Sequence, residues 1–397
     1  MLLLNILQCI VLVLLGLATL YIFIFSFAGL FYKQKAYATP SAFKKMAVLI
    51  PGYKEDEVII EVAESALMQT YPTDFYDVVI IADSFEKETL VKLREMPIKL
   101  VEVSFDKSTK AKALNKAMQQ LDNSYDIAVI LDADNLMEKD FLKKINASFE
   151  GNFIAVQGHR TAKNLNNSWA ILDAISEEIN NNIFRKGHRV TGLSSAIIGS
   201  GMAFKYGYFK DLMADAKAVG GFDKEIELRL LKAGHKIEYL DDAIVYDEKI
   251  QKSDVFGNQR RRWLSAQLHY FRQDFLTSLQ HLFLKGNVDY FDKAIQFIQP
   301  PRVLLLGAVI LSGCFFVLIN YLLKNHLFLY SWLIVATACL LSFLFAVPRT
   351  FFNAATLKAL VSLPKGMLVM LVSLLKIKGA NQKFIHTKHT ATVSKVN

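Results

Sequence analysis

Three long uncharged runs dominate the hydrophobic pattern of this 397-residue chain. The first covers residues 1–32, since Lys33 is the first charged side chain. A helix needs about 20 apolar residues to cross a bilayer core, so the pattern predicts an N-terminal transmembrane anchor over 1–32. The run lacks the basic start and short apolar core of a secretory signal, and we therefore expect the anchor to be retained.

The other two runs lie close together toward the C-terminus. Residues 303–323 and 327–347 are separated by only three residues, which predicts a transmembrane helical hairpin over 303–347. A poorer apolar stretch, 359–375, is interrupted by a proline and flanked by lysines. For 350–397 we therefore expect an interfacial helix or a third-span helix, followed by a cytoplasmic tail.

The distribution of charge bears on orientation and partners. Lysines and arginines cluster beside the apolar runs, whereas the hairpin tip carries only Lys324. The positive-inside rule then predicts a protein of the cytoplasmic (inner) membrane with its middle region cytoplasmic. The formal charge of +9 lies largely beside these runs and in one arginine cluster, which favours membrane lipids and a diphosphate over nucleic acid as partners.

Residues 46–270 show a different pattern, in which short β-branched runs alternate with amphipathic stretches of helical length. The runs are 46–50, 77–82, 98–103 and 127–131. This order predicts an α/β domain with a mainly parallel sheet that binds ligands beyond the carboxyl ends of its strands. The stretch 271–300 predicts an amphipathic connector that packs the domain onto the membrane.

Acidic and aromatic residues follow three of the predicted strands. Asp132 and Asp134 follow the fourth run, and alternate residues of an extended chain point the same way, so both could hold Mg²⁺ or Mn²⁺ beside a diphosphate. Asp83 ends the second run, and Tyr53 and Glu55 follow the first, where they could hold a nucleotide. Turn-forming residues at solvated strand ends are the simpler interpretation of each alone.

Two further segments carry candidate binding groups. A predicted helix start places Lys110 beside the diphosphate and Asn115 one turn further on. The small residues Gly199, Ser200 and Gly201 allow a sugar or acceptor to approach the backbone closely, and a β-bulge explains them equally well.

Two predicted helices carry the remaining candidates. Asp223 stands at a helix start, where it is either an N-cap or a base for an attacking hydroxyl. Gln259, Arg262 and Trp263 share one helix face and could present an amide, a guanidinium and an aromatic surface to a sugar diphosphate. The alternative is an arginine run and a tryptophan anchored at a membrane surface.

In this order, the motifs resemble the processive branch of the family 2 glycosyltransferases, which contains the cellulose, chitin, hyaluronan and poly-N-acetylglucosamine synthases. The resemblance covers about 48–263, and Gln259-x-x-Arg262-Trp263 is its most specific part. The other matching residues are Ile50, Pro51, Tyr53, Glu55, Asp83, Lys110, Ala113, Leu114, Asn115, Asp132, Asp134, Gly199, Ser200 and Gly201. The resemblance implies a glycosyltransferase A-type (Rossmann-like) fold, a UDP-sugar donor, Mg²⁺ or Mn²⁺, and inversion.

The resemblance also implies roles for single residues. Asp223 would be the catalytic base, and Pro51 would join the donor-binding residues. Where the family has Thr-Glu-Asp, this chain has Gly221-Phe222-Asp223, and Lys54 replaces a usual Asn. Residues 384–388 resemble, imperfectly, a segment that closes over the donor in cellulose synthases.

Three functions remain open at this point. Polysaccharide synthesis from a UDP-sugar is the first, with a glycan or lipid-linked acceptor and a route out between the spanning helices. A single-addition enzyme with a lipid acceptor is the second. The third is a non-catalytic nucleotide-sugar-binding scaffold, which Phe222 in place of the family's Glu favours. The sequence leaves the sugar, the linkage and any additional export subunits open.

Overall fold

The computed structural model describes residues 2–216, 220–251 and 253–377, apart from the side chains of 253 and 254. Its strands are β1 (Met46–Tyr53), β2 (Tyr76–Asp83), β3 (Lys99–Val103), β4 (Ile127–Ile130), β5 (Leu136–Met137), β6 (Ala155–Ala162), β7 (Met202–Lys205) and β8 (Ile237–Asp247). Its helices are α1 (Leu2–Gly29), α2 (Ile59–Leu67), α3 (Lys87–Arg94), α4 (Lys110–Gln120), α5 (Phe141–Ser148), α6 (Ser168–Asn181), α7 (His188–Val190), α8 (Tyr206–Ala214), α9 (Phe222–Lys232), α10 (Ser253–Lys285), α11 (Val288–Ile298), α12 (Arg302–Leu322), α13 (His326–Ala346), α14 (Ala354–Leu360) and α15 (Leu363–Leu375).

The strands form one mixed sheet in the order β3-β2-β1-β4-β7-β6-β8-β5. The four strands predicted from the sequence form its parallel half. β7 runs antiparallel to β4 and β6, and β5 runs antiparallel to β8. The prediction of an α/β domain is confirmed, and the later strands add the antiparallel pairs.

Strand periodicity explains the two apolar layers that cover the sheet. Ala47 and Leu49 of β1 belong to the cluster with α4, α8 and α9, whereas Val48 and Ile50 belong to the cluster with α2 and α5. Successive side chains of a strand point to opposite faces, so one apolar run supplies both layers. Polar residues are consequently concentrated at the strand ends.

Within the described residues, three helices, α1, α12 and α13, are long and apolar enough to cross a membrane. α14 and α15 also pass that test as a pair, but they are bent by 48° at their break. α10 runs through residue 270 without interruption, so the predicted 271–300 connector comprises the end of α10 and all of α11. The three long helices support membrane association.

A glycine allows α1 to lie directly against the α/β domain. α6 continues as a π-helical segment, Asn182–Gly187, into α7. A Cβ atom on Gly187 would lie 2.0 Å from the backbone oxygen of Phe25 in α1. The two backbones can therefore pack this closely only because Gly187 lacks a side chain.

We expect Gly187→Ala to lower the stability of the protein. Overpacking costs about 1–3 kcal/mol, and here the obstacle is backbone rather than a side chain that can rotate. Thermal unfolding of the detergent-solubilised protein measures the effect. Gly207→Ala in α8 is the matched control, because a Cβ atom there would meet nothing within 4 Å. Equal melting temperatures for the two variants would contradict the close approach.

Candidate active site

A cavity of about 470 Å³ lies beyond the carboxyl ends of β1, β2 and β4. Its volume is in the range of small-molecule sites, roughly 300–1,000 Å³. The α/β domain forms one side, and α10 and α11 contribute residues to the other. The cavity therefore lies where the strand order of the sequence predicted a ligand.

Three carboxylates meet at one end of the cavity. Asp132 and Asp134 follow β4, and Asp247 ends β8. Their oxygen atoms lie within 4.8 Å of one another. Hard oxygen donors of this kind suit Mg²⁺ or Mn²⁺, so the residues present fit such an ion.

Cationic side chains surround these carboxylates. Lys110 Nζ donates to Asp132 Oδ1 and to the Gly199 carbonyl, the latter at 2.7 Å. Arg160 Nη1 lies 3.8 Å from Asp132 and 3.7 Å from Asp247. Lys249 Nζ lies 2.6 Å from Asp247 Oδ2. This cluster combines negative and positive groups, as a metal-bound diphosphate requires.

Burial changes the titration of this network. Burial raises the pKa of Asp247 above its ordinary value, against the opposing effect of Arg160 and Lys249. Glu177 is also buried, which alone would raise its pKa, but Arg160 and Lys249 hold that pKa well below the usual range. Glu177 therefore stays ionised and anchors both cations beside the cavity.

The ends of β1 and β2 form the next part of the wall, where Pro51, Tyr53, Glu55 and Asp83 all line the cavity. Asp83 is 2% exposed and accepts a hydrogen bond from the hydroxyl of the following serine. Lys54 N donates to the Asp83 carbonyl at 3.1 Å and has a left-handed φ of 56°. Asn tolerates this conformation better than Lys, so Lys54 adopts a backbone conformation that is uncommon for its residue type.

Asp223 lies in the first turn of α9. The N-cap is Gly221, with φ 71°, so the N-cap interpretation of Asp223 is wrong. Its carboxylate lines the cavity, with Lys224 Nζ at 3.4 Å. A Cβ atom on Gly199 would lie 3.7 Å from that of Asp223, which places the acid opposite the glycine turn.

The small-residue turn has two structural roles. Gly199 lines the cavity. Ser200 is fully buried, and its hydroxyl accepts from Asp132 N at 2.9 Å and donates to Asn135. The Gly201 carbonyl accepts from Gly158 N at 2.7 Å. Ser200 therefore holds the loop that carries Asp132 and Asp134, whereas Gly201 connects the turn to β6.

Gln259, Arg262 and Trp263 line the cavity from α10. Trp263 is 37% exposed. Burial of the Arg262 side chain lowers its pKa below the ordinary value. Arg260 lies over the Trp263 ring, 4.4 Å from its centroid. The structure thus brings the predicted amide, guanidinium and aromatic groups to one wall.

One predicted residue lies elsewhere. Asn115 accepts from Gln119 and borders a separate shallow pocket. Five residues along a helix correspond to a rotation of about 140° from Lys110, so the two side chains leave α4 on different sides. The predicted segment 384–388 lies outside the described residues.

Sequence reasoning missed several residues that reach the cavity. Asp247 ends a strand as Asp83 does, and recognising β8 would have indicated it. Lys293, Gln296 and Phe297 line the cavity from the connector, for which the sequence predicted only packing onto the membrane. Arg160 and Glu177 carried no distinguishing sequence signal.

Comparisons with known proteins indicate the family of the chain. The family model described as "Glycosyltransferase like family 2" matches residues 44–266. An N-acetylglucosaminyltransferase of Rhizobium meliloti (strain 1021) is 24% identical over 250 residues, covering 58% of this chain and 56% of that protein. "Probable glycosyltransferase YdaM" of Bacillus subtilis (strain 168) is 26% identical over 237 residues, covering 55% and 54%. The chain thus spans about half the length of the curated relatives it matches.

A solved structure resembles nearly the whole chain. It is a mannosyltransferase from Pyrobaculum calidifontis in complex with GDP-mannose and Mn²⁺. The TM-score is 0.54 at 17% identity, covering 94% of this chain and 98% of that one. At this identity the likeness concerns the fold, which is the glycosyltransferase A-type.

Proposed function

This chain belongs to the glycosyltransferase-like family 2, and we propose that it is a membrane-bound inverting enzyme that moves a sugar from a UDP-sugar to a glycan acceptor. The observation that carries the proposal is the convergence of Asp132, Asp134 and Asp247 on a cavity that Asp223 also lines. An acidic ion site and a separate carboxylate are what a single displacement needs. The first supports a leaving diphosphate, and the second receives a proton.

In the proposed reaction, Asp223 takes the proton of an acceptor hydroxyl. The hydroxyl oxygen forms a bond to the anomeric carbon while the bond from that carbon to the diphosphate oxygen breaks. The diphosphate leaves with the electron pair, and one attack inverts the carbon. General-base assistance contributes about 10²–10⁴-fold to such a step.

A bound Mg²⁺ or Mn²⁺, held by Asp132, Asp134 and Asp247, would neutralise charge on the departing diphosphate. Lys110 and Arg160 stand beside the same carboxylates and supply further positive charge to the diphosphate. Asp83 and Glu55 accept hydrogen bonds from the base or ribose, and Tyr53 offers an aromatic face.

The remaining predicted residues that line the cavity are assigned to the diphosphate and the acceptor. Gly199 allows the sugar to approach the backbone, while Gln259 and Arg262 bind polar and anionic groups. Trp263 stacks on the acceptor's terminal sugar. This division leaves Asp223 between the donor and the acceptor.

A second acid compensates for Phe222 in place of the family's Glu. Glu227 lies one turn beyond Asp223 on α9, lines the cavity and is 1% exposed. Its Oε1 lies 2.7 Å from Lys293 Nζ of α11, and burial raises its pKa. We assign Glu227 to the acceptor side, which favours an enzyme over a non-catalytic scaffold.

Membrane attachment sets the location of the reaction in this proposal. α1, α12 and α13 would span the cytoplasmic membrane, with the cavity on the cytoplasmic side. Polysaccharide synthesis is supported by Gln259, Arg262 and Trp263, which together line the cavity. Single addition to a lipid acceptor is the second candidate, because a bundle this narrow leaves little room for an exit route.

Product sizing with labelled donors tests the proposal. We expect the full chain in detergent to consume a UDP-sugar only when Mg²⁺ or Mn²⁺ is present. A ladder of products would support polymerisation, and one added sugar would support the second candidate. Consumption of GDP-mannose alone would contradict the uridine assignment. No transfer or hydrolysis with any donor would contradict enzymatic function and favour a scaffold.

A further inference from the structure

An arginine cluster lies at the end of the cavity beside the apolar helices. Its members are Arg185 in the π-helical segment, Arg260 in α10 and Arg302 at the start of α12, and the charges of Arg185 and Arg260 both act on Arg302. Arg185 and Arg260 line the cavity and are 1% and 8% exposed. Arg302 donates to the Ser176 carbonyl at 3.0 Å, and Ser176 also lines the cavity.

The positive charge of this cluster exceeds its negative charge. Arg260 pairs with Asp173. Arg185 donates to the Ala196 carbonyl at 3.2 Å and to Asn181, and in the described part of the chain no ion pair joins Arg185 or Arg302 to a carboxylate. Among the described residues, Asp173 is thus the one carboxylate in direct contact with these three guanidinium groups, while Glu177 and Glu227 act on Arg185 without an ion pair. Buried cations without a close counter-charge are costly.

Two buried donor atoms of the cluster are available to an anion. Within the described residues, Arg260 Nε and Arg302 Nη1 are inaccessible to solvent and have no hydrogen-bond partner. Buried polar atoms are nearly always satisfied, so orphaned guanidinium nitrogens indicate a ligand that supplies oxygen acceptors. Planar guanidinium groups bind phosphate in bidentate fashion.

The position of the cluster indicates where that anion comes from. Asp173, Ser176 and Glu177 of α6 face the cavity. On its other face, Ile171 and Ile175 pack in the apolar cluster that includes residues of α1 and α12. A ligand at the arginines therefore has the cavity on one side and the apolar helices on the other.

We propose that Arg185, Arg260 and Arg302 bind the phosphate of a lipid-linked acceptor, whose apolar chain lies along the membrane helices. The inference rests on the proposed function, and it favours the second candidate, in which the acceptor is a lipid. Arg185 and Arg260 line the same cavity as the three aspartates, but none of the three arginines contacts the group of carboxylates that fits an ion. Replacing an aspartate therefore tests donor use without removing an arginine.

Binding of farnesyl phosphate to the full chain in detergent, followed by native mass spectrometry without any donor, tests this inference. Arg302→Gln and Arg260→Gln are expected to weaken binding about tenfold to hundredfold, because each removes a charged hydrogen bond. Arg302→Lys should retain most of the binding. Arg349→Gln is the matched control, since Arg349 is exposed and lies near the membrane helices but outside the cluster. Thermal unfolding shows whether each variant is folded.

Two control ligands show which part of farnesyl phosphate accounts for binding. Farnesol lacks the phosphate, and inorganic phosphate lacks the apolar chain. Binding of farnesol as strong as that of farnesyl phosphate would overturn the inference, and so would inorganic phosphate binding equally well. Unchanged binding in both folded glutamine variants would also overturn it. Asp134→Asn should leave farnesyl phosphate binding intact, so a failure of donor use can be distinguished from a failure of this site.

Discussion

Asp223→Asn is expected to reduce sugar transfer by about 10²–10⁴-fold while nucleotide binding is retained. The amide keeps the shape of the side chain but cannot take a proton from the acceptor. Asp223 lines the cavity in the first turn of α9, opposite Gly199. Initial rates with a labelled UDP-sugar measure the loss, and calorimetric titration with UDP and Mn²⁺ measures binding.

Asp211→Asn provides the control for this prediction. Asp211 is an exposed acid in α8, outside the residues that line the cavity, so its replacement should leave the rate unchanged. Near-normal transfer by Asp223→Asn would show that another group is the base, and Glu227 would then be the next residue to replace.

Asp134→Asn is expected to abolish metal-dependent binding of UDP and to lower transfer by more than about 100-fold, since metal neutralisation of leaving-group charge contributes several kcal/mol. Asp134 is the most informative of the three aspartates, because Asp132 and Asp247 also hold lysines whose release would complicate the result. Titration with Mn²⁺, followed by electron paramagnetic resonance, measures ion binding directly.

The control for the metal prediction is Asp74→Asn, at an exposed position far along the chain from the cluster. Its Mn²⁺ affinity should equal that of the unaltered protein. Full Mn²⁺ affinity in Asp134→Asn would place the ion elsewhere. Transfer that proceeds equally well after chelation of divalent ions would contradict the metal role altogether.

The first half of the fold could be predicted because its strands are continuous apolar runs. β1, β2 and β4 are buried on both faces, and their carboxyl ends meet at one edge of the sheet. The positions of Asp83, Asp132 and Asp134 in the cavity wall follow from that rule alone. The helices α1, α12 and α13 could be predicted for the same reason, since each is a continuous apolar run.

The second half of the fold could not be predicted in this way, because it depends on contacts between segments that are distant in the sequence. Asp247 reaches the ion site only because β8 pairs in parallel with β6, a register that no local pattern specifies. Arg160, Glu177 and Lys249 form a buried ion network, yet each looks like an ordinary surface charge in the sequence. Lys293 enters the cavity because α11 packs beside α9.

The π-helical segment after α6 ties the first apolar helix to the wall of the cavity. Phe184 and Arg185 face the cavity, and two residues later Gly187 abuts the backbone of Phe25. We therefore expect a tilt of α1 to shift the cavity wall through this short piece of backbone. Bilayer thickness and lipid composition should thus influence the catalytic constants, and rates obtained in different detergents are not directly comparable.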